Sequence, residues 1–375
     1  MVYLKRILVK NKALRFPIYC PDATRAVVRS LDSQDLQKAG IEGLILNPYH
    51  LLSQPGLKAI KKAGGIKKYM NWPEFVITDS GGWQLLSLVY KDPKFGKITD
   101  KGVVFYKDSL GRNKKQIFTP EKSIQTQFDI GADIVICLDD CPGKNASKKE
   151  TEKAVERTIL WAKRGKTEYL KQLHKHKLTE NSSPQAPLLL AVVQGGNSRK
   201  LRAKCAKELT KIGFDAYGWG GWTANEKGGL NTEIGKYIVS QLPKDKPKFA
   251  LGVGYPWDII EGVKMGYHIF DCVLPTRDAR HKRLYVWKKD PRETNILKTN
   301  ARSVFGLFYP DKQRYAKDLK PVDKFCDCQL CQNYSRAYLH HLFKIQDSLA
   351  WRLATIHNLR VYAKLIEMLR EQLSR

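Results

Sequence analysis

Three of the chain's eight cysteines crowd together as Cys326, Cys328 and Cys331, while Cys20, Cys137, Cys141, Cys205 and Cys272 are scattered. Thiolates at this CxCxxC spacing sit on one tight turn and suit a tetrahedral zinc ion, which needs a fourth ligand. His340, His341 and His357 all lie on helices predicted to follow, and spacing alone does not choose among them. With four protein ligands no position is left for water, so the expected metal is one structural Zn²⁺ per chain. A metal cluster beside free thiols, rather than a disulfide framework, places the protein in the cytoplasm.

A second group of residues offers a different chemistry. Asp79, Asp139 with Asp140, and Asp271 each directly follow a short apolar run, and so do Gln194-Gly195-Gly196, Gly220-Gly221-Trp222 and Gly252-Val253-Gly254. An isolated Asp after a strand most often caps the next helix, and Asp79, followed by Ser80-Gly81-Gly82, fits that role on spacing alone. Together, several carboxylates suit cleavage of a glycosidic bond: one attacks the sugar carbon and another moves the leaving group's proton. The glycine motifs lack the Lys and the spacing of a phosphate loop, so they fit a planar, hydrogen-bonding ligand. No Ser-His-Asp or Cys-His arrangement accompanies them.

Side chains scattered along the sequence become neighbours if parallel strands end on one rim. Apolar runs at 43–46, 75–78, 134–138, 188–193, 216–219, 249–253 and 269–273 alternate with helical patterns, a βα repeat that predicts an irregular (β/α)8 barrel, for which ~250 residues is typical. An open doubly wound sheet is the alternative. Thr119-Pro120-Glu121 marks a helix start and Gly131 its stop; 147–175 reads as a charged helix and 176–187 as a loop. Past about residue 290 the pattern becomes basic and irregular, and 334–373 reads as nearly continuous helix. The expected division is a catalytic barrel over 1–290 and a zinc-binding subdomain with C-terminal helices over 291–375.

Sixty-six Lys and Arg against 37 Asp and Glu give a net charge of +29, spread along the 375 residues, which points to a polyanionic partner. No apolar run approaches the ~20 residues that span a bilayer, so no membrane role is expected. The basic N-terminus alternates apolar residues with Lys and Arg and lacks a signal-peptide core; a transit peptide is the alternative.

TDSGGWQLLSL at 78–88, LDDC at 138–141, VQGG at 193–196, GVGYPWDIIEGVKMGYHIFDCVLPTRDAR at 252–280 and CDCQLCQNYSRAYLHHL at 326–342 resemble the tRNA-guanine transglycosylases of bacterial type, also called queuine tRNA-ribosyltransferases. The resemblance runs from about Phe16 to the end, with FDCVLPTR and the cysteine cluster its most specific parts. It implies a (β/α)8 barrel with a zinc subdomain and a retaining exchange of the guanine at the first anticodon position of tRNA for a 7-deazaguanine. By the resemblance, Asp271 is the nucleophile and Asp79 the general acid/base. Asp139, Gln194 and Ser80, with Gly221 and Trp222, hold the base by its edges, and Trp83 and Leu251 supply its stacking faces. Arg277 and Arg280 grip the RNA, His357 completes the zinc site, and the working unit is a homodimer. His340 and His341 are then expected on a helix surface or towards RNA.

Some positions depart from the family pattern. Trp83 stands for Phe or Tyr, Trp222 for Leu, Asp140 for Glu and NPYH at 47–50 for NTYH, and the short segment before Phe16 implies a trimmed N-terminal hairpin. Ala224 replaces a position where enzymes using the small base preQ1 often carry Val, which leaves room for a bulkier base such as queuine. Three other readings fit parts of the sequence. A non-catalytic RNA-binding paralogue should have lost the nucleophile, and a metal-dependent base hydrolase or deaminase would want histidines on the rim. A related enzyme could instead act on DNA or on another RNA position.

Overall fold

Short runs such as FVIT and GLIL are apolar on both faces, and such strands are stable only where both faces are covered, as in a parallel sheet wrapped by helices. The computed structural model describes residues 3–82, 85–90, 92–107, 110–177 and 186–375, and there these runs form one eight-stranded sheet. Its strands are β1 (Ile18–Pro21), β2 (Gly43–Leu46), β3 (Phe75–Thr78), β4 (Ile134–Ile136), β5 (Leu188–Val193), β6 (Ala216–Trp219), β7 (Lys248–Ala250) and β8 (Ile269–Cys272). They pair in parallel in the order β1-β8-β7-β6-β5-β4-β3-β2. A parallel bridge between Asp22 and Ile45, with Ala23 N donating to Ile45 O at 2.8 Å, joins β1 to β2 and nearly closes the barrel. Its interior is filled by Ile18, Ile45, Phe75, Ile77, Ile136, Leu190, Val192 and Phe249, a packed core that leaves chemistry to the rim.

The predicted helix signals are realised. Thr119 caps Pro120–Ile130, which stops at Gly131, and Ser147 with Glu150 forms a capping box on Lys148–Lys175. Most of the expected loop at 176–187 falls outside the described residues.

Several elements differ from expectation. An antiparallel hairpin, Arg6–Val9 with Lys12–Arg15, precedes β1, so the segment before Phe16 still forms the short hairpin whose trimming was expected. A three-stranded antiparallel sheet, Gly96–Thr99, Gly102–Lys107 and Asn113–Phe118, is inserted between β3 and β4. The C-terminal helix is broken: Arg336–Lys344 ends before Gln346, which adopts φ +57°, and Asp347 caps Ser348–Ser374 by accepting from Leu349 N at 2.7 Å. This last helix ties the chain's end to the barrel through Arg352 with Asp35, Arg370 with Glu42 and the Tyr362 hydroxyl donating to Gly254 O. Among the described residues no helix is long and apolar enough to cross a membrane.

Candidate active site and metal centre

Parallel strands deliver the residues after their C-terminal ends to one rim, and a cavity of about 750 Å³ opens there. Asp79 after β3, Asp139 after β4 and Asp271 within β8 all line it. So do Gln194, Gly221, Trp222 and Leu251, with Arg277 among the residues that border it. Ser80 lies buried just behind, and Trp83 falls outside the described residues. A cleft of about 690 Å³ at the opposite end, near the starts of β1 and β3, is lined by Glu42 and by Arg15 and Arg370, which both pair with it.

Each carboxylate is held by different groups. Asp271 Oδ1 accepts from Gly252 N at 2.8 Å. Asp79 accepts from Asn47 Nδ2 at 2.9 Å and from Ser80 N at 2.7 Å. Asn47 itself caps the helix Pro48–Ser53, its Oδ1 accepting from Tyr49 N at 3.1 Å, and so links that helix start to Asp79. Asp139 accepts from Ser80 Oγ at 2.8 Å through one oxygen and from Gln194 Nε2 at 2.7 Å through the other. Gly82 is required beside it, because a Cβ there would approach Asp139 Oδ1 to 2.3 Å. Asp140 turns away from the cavity: it is wholly buried, accepts from the Tyr90 hydroxyl at 2.7 Å and pairs with Arg157.

Crowding carboxylates into a protein-lined cavity disfavours their charged forms. Burial, then the charge of Asp139, pushes Asp79 up to about 7. Burial also pushes Asp271 up to about 7, with Asp79 and Asp22 adding to the rise and the Gly252 N–H opposing it. Asp139 is pushed up by burial to about 6, with the Gln194 and Ser80 hydrogen bonds holding it back. Two carboxyl groups near 7 in one cavity can divide the roles of nucleophile and proton carrier at neutral pH.

The helix Leu274–Arg280 follows Asp271 at once and carries both flagged arginines. Arg277 is exposed at the cavity, whereas Arg280 is half-buried and donates from Nη1 to Thr276 O at 2.8 Å. Burial lowers the Arg280 pKa, and the charges of Arg29 and Arg277 add to the lowering while Asp22 opposes it.

The sulfurs of Cys326, Cys328 and Cys331 and a ring nitrogen of His357 lie within 4.8 Å of one another, and all four residues are buried. His357 Nδ1 stands 3.4 Å from Cys328 Sγ and 3.3 Å from Cys331 Sγ, while Nε2 lies 2.7 Å from the carbonyl oxygen of Tyr285. That carbonyl can only accept, so it fixes the proton on Nε2 and turns the Nδ1 lone pair towards the sulfurs. A soft, four-donor set of this kind fits a structural zinc. His340, expected on a surface or towards RNA, is instead buried, with Nδ1 2.8 Å from Pro310 O.

Asn47, within NPYH at 47–50, stood out in the sequence by its place after an apolar run but received no role; the fold gives it one, donating from Nδ2 to Asp79 at 2.9 Å. Asp22, after β1, went unnoticed because β1 itself was not predicted.

Comparison with known proteins agrees with this geometry. The profile described as queuine tRNA-ribosyltransferase matches residues 4–375. A queuine tRNA-ribosyltransferase of Caldanaerobacter subterraneus subsp. tengcongensis is 40% identical over 355 residues, covering 95% of this chain and 85% of the relative. One of Methylacidiphilum infernorum is 37% identical over 372 residues, covering 99% and 91%. One of Pseudoalteromonas translucida is 36% identical over 369 residues, covering 98% and 89%.

Proposed function

Because the chain belongs to the queuine tRNA-ribosyltransferase family, we propose that it is a tRNA-guanine transglycosylase that exchanges the guanine at the first anticodon position for a 7-deazaguanine by double displacement. The observation that carries this reading is the convergence of Asp79, Asp139 and Asp271, from three strand ends, on one cavity that Arg277 borders.

The target nucleotide must leave its stack to enter the cavity, while Arg277 and Arg280 hold the flanking phosphates. With Oδ1 anchored by Gly252 N–H, Asp271 attacks C1′ through its other oxygen. A C–O bond forms as the C1′–N9 bond breaks, and the departing guanine takes its electron pair and a proton from Asp79. The incoming base then gives its N9 proton to the Asp79 carboxylate and attacks C1′, and Asp271 leaves as a carboxylate. Two inversions retain the configuration. Asp139, oriented by Ser80 and Gln194, accepts from N–H groups on the base edge, and Leu251 and Trp83 provide apolar faces for the ring. Zinc at Cys326, Cys328, Cys331 and His357 holds the subdomain over 291–375 folded beside the barrel over 1–290. The active form is a cytoplasmic homodimer in which one subunit catalyses and the other braces the tRNA.

Asp271 must be ionised to attack and Asp79 protonated to release guanine. With both near 7, kcat/KM should follow a bell centred near neutrality and fall at least about tenfold from pH 7.5 to 5.5 as Asp271 and then Asp139 take up protons. A profile flat over that interval contradicts the assignment.

A small side chain at Ala224 supports a bulkier incoming base. Ala224 lines both the reaction cavity and an adjoining one of about 470 Å³, where Gln194, Gly221 and Trp222 form the shared wall. The two cavities together favour queuine over preQ1, and Ala224→Val should shift the competition towards preQ1 by about tenfold or more. Clear preference of the unaltered protein for preQ1 would sink this point.

The overall reading is tested by incorporation of radiolabelled guanine into tRNA with and without guanine at the first anticodon position. Exchange confined to the guanine-bearing tRNA is expected. Binding of tRNA without exchange would instead indicate a non-catalytic RNA-binding subunit.

A further inference from the structure

Helix Arg199–Ile212 follows β5, and Arg202, near its start, turns a wholly buried guanidinium back under the strand end. Its Nε donates to Gly196 O at 2.9 Å and its Nη1 to Val193 O, so one side chain clamps the loop that carries Gln194. Among the described residues no carboxylate pairs with Arg202: these two hydrogen bonds go to backbone carbonyls, and the side chains of Cys205, Tyr267 and Cys141 lie near its charge. Burial lowers its pKa to about 10, which leaves it cationic at neutral pH. An arginine buried without a counter-ion is costly to the fold, and a cost kept in the wall of a site suggests a role there.

Two buried polar atoms in this corner have no hydrogen-bond partner, Arg202 Nη2 and Gln194 Oε1. Both border Gly221: a Cβ on that residue would stand 3.2 Å from Gln194 Oε1 and 3.6 Å from Arg202 Nη2. A donor and an acceptor thus face the same small space. The other end of the Gln194 amide, Nε2, donates to Asp139 Oδ2. An amide has a donor end and an acceptor end, and its surroundings decide which points where. Arginine can only donate, so its presence behind Gln194 favours Oε1 on that side and leaves the NH₂ for Asp139.

We propose that Arg202 is a positioning residue for base recognition, holding the loop through Val193 and Gly196 and fixing the amide orientation in which Gln194 presents Asp139 to the base. The inference rests on the base-binding role proposed above for Asp139 and Gln194. It concerns a helix residue outside the strand-end motifs and outside the lining of the reaction cavity.

The test uses the full chain, with tRNA and guanine varied separately in the exchange assay and guanine binding measured by equilibrium dialysis. Arg202→Met should raise KM for guanine, and weaken its binding, by about 10- to 100-fold, while KM for tRNA stays within about twofold. Arg202→Lys, which keeps the charge without the fork, should recover part of the loss. Adding Arg202→Met to Gln194→Met should cost less than about twofold more, because one residue acts through the other. A folded Arg202→Met with guanine KM and binding within twofold of wild type would overturn the proposal, as would equal losses for both substrates that track the thermal midpoint. If Arg202→Met does not fold, Arg202→Lys decides, with a rise of about three- to tenfold expected and wild-type values contradicting it. Absence of exchange in the wild type overturns the transglycosylase reading instead, and the dialysis still reads the effect of Arg202 on guanine.

Discussion

Asp271→Asn is expected to lower guanine exchange by at least about 10⁴-fold, on the scale of removing a covalent nucleophile, while the chain should still fold and bind tRNA. The substitution is nearly isosteric, and the amide oxygen can still accept from Gly252 N–H, so the rim keeps its shape. What disappears is the carboxylate proposed to form the bond to C1′. The variant should also be more stable. A carboxyl group raised to about 7 in the folded chain, against an ordinary value of 3.8, binds its proton more tightly when folded than when unfolded. Its penalty therefore grows as pH rises from about 4 and levels off above about 7. Asn carries no such penalty, so the thermal midpoint should rise by a few degrees at pH 8, with less gain at pH 5. Lost activity with raised stability at high pH separates a catalytic carboxylate from a structural one, whose removal would lower both.

Removing the metal has the opposite signature. Cys328→Ser, or prolonged chelation, should release one metal ion per chain and destabilise the protein by on the order of 5 kcal/mol or more, given that structural zinc contributes roughly 10–16 kcal/mol in small zinc-dependent folds. Zinc analysis and thermal melts check this. The effect should reach RNA binding through the residue after His357. Asn358 accepts from Tyr285 N at 2.9 Å and donates to Pro275 O at 2.9 Å and Arg283 O at 3.1 Å, which ties the metal-bearing helix to the segment carrying Arg277 and Arg280. Loss of the metal should weaken tRNA binding even though none of its ligands lines the reaction cavity. A metal-free protein with unchanged melting and tRNA affinity contradicts the structural role.

The βα repeat was legible because each parallel strand is an uninterrupted apolar run followed by polar or glycine residues, and the carboxylates were legible because they sit at those run ends. β1, IYCP, escaped: it is four residues long, ends in proline and becomes a strand by pairing with β8, about 250 residues away. The inserted sheet escaped because strands such as GKIT and NKKQIF carry little periodicity of their own, and cross-strand pairing decides them. The break at Gln346 was hidden in a sequence with good helix formers on both sides; Asp347 as a cap was its only mark. The choice of His357 came from the family resemblance, since three histidines shared the region; in the fold, His357 points at the sulfurs and His340 at Pro310. Arg202 could not be found from sequence, because nothing distinguishes it from the other basic residues of its helix until the fold buries it.

The covalent bond proposed between Asp271 and the ribose is open to mass spectrometry of the protein mixed with an anticodon stem-loop and denatured during turnover. An RNA adduct is expected that maps to the peptide containing Asp271, disappears with Asp271→Asn and is discharged by added guanine. An adduct on Asp79, or one that persists in Asp271→Asn, would contradict it.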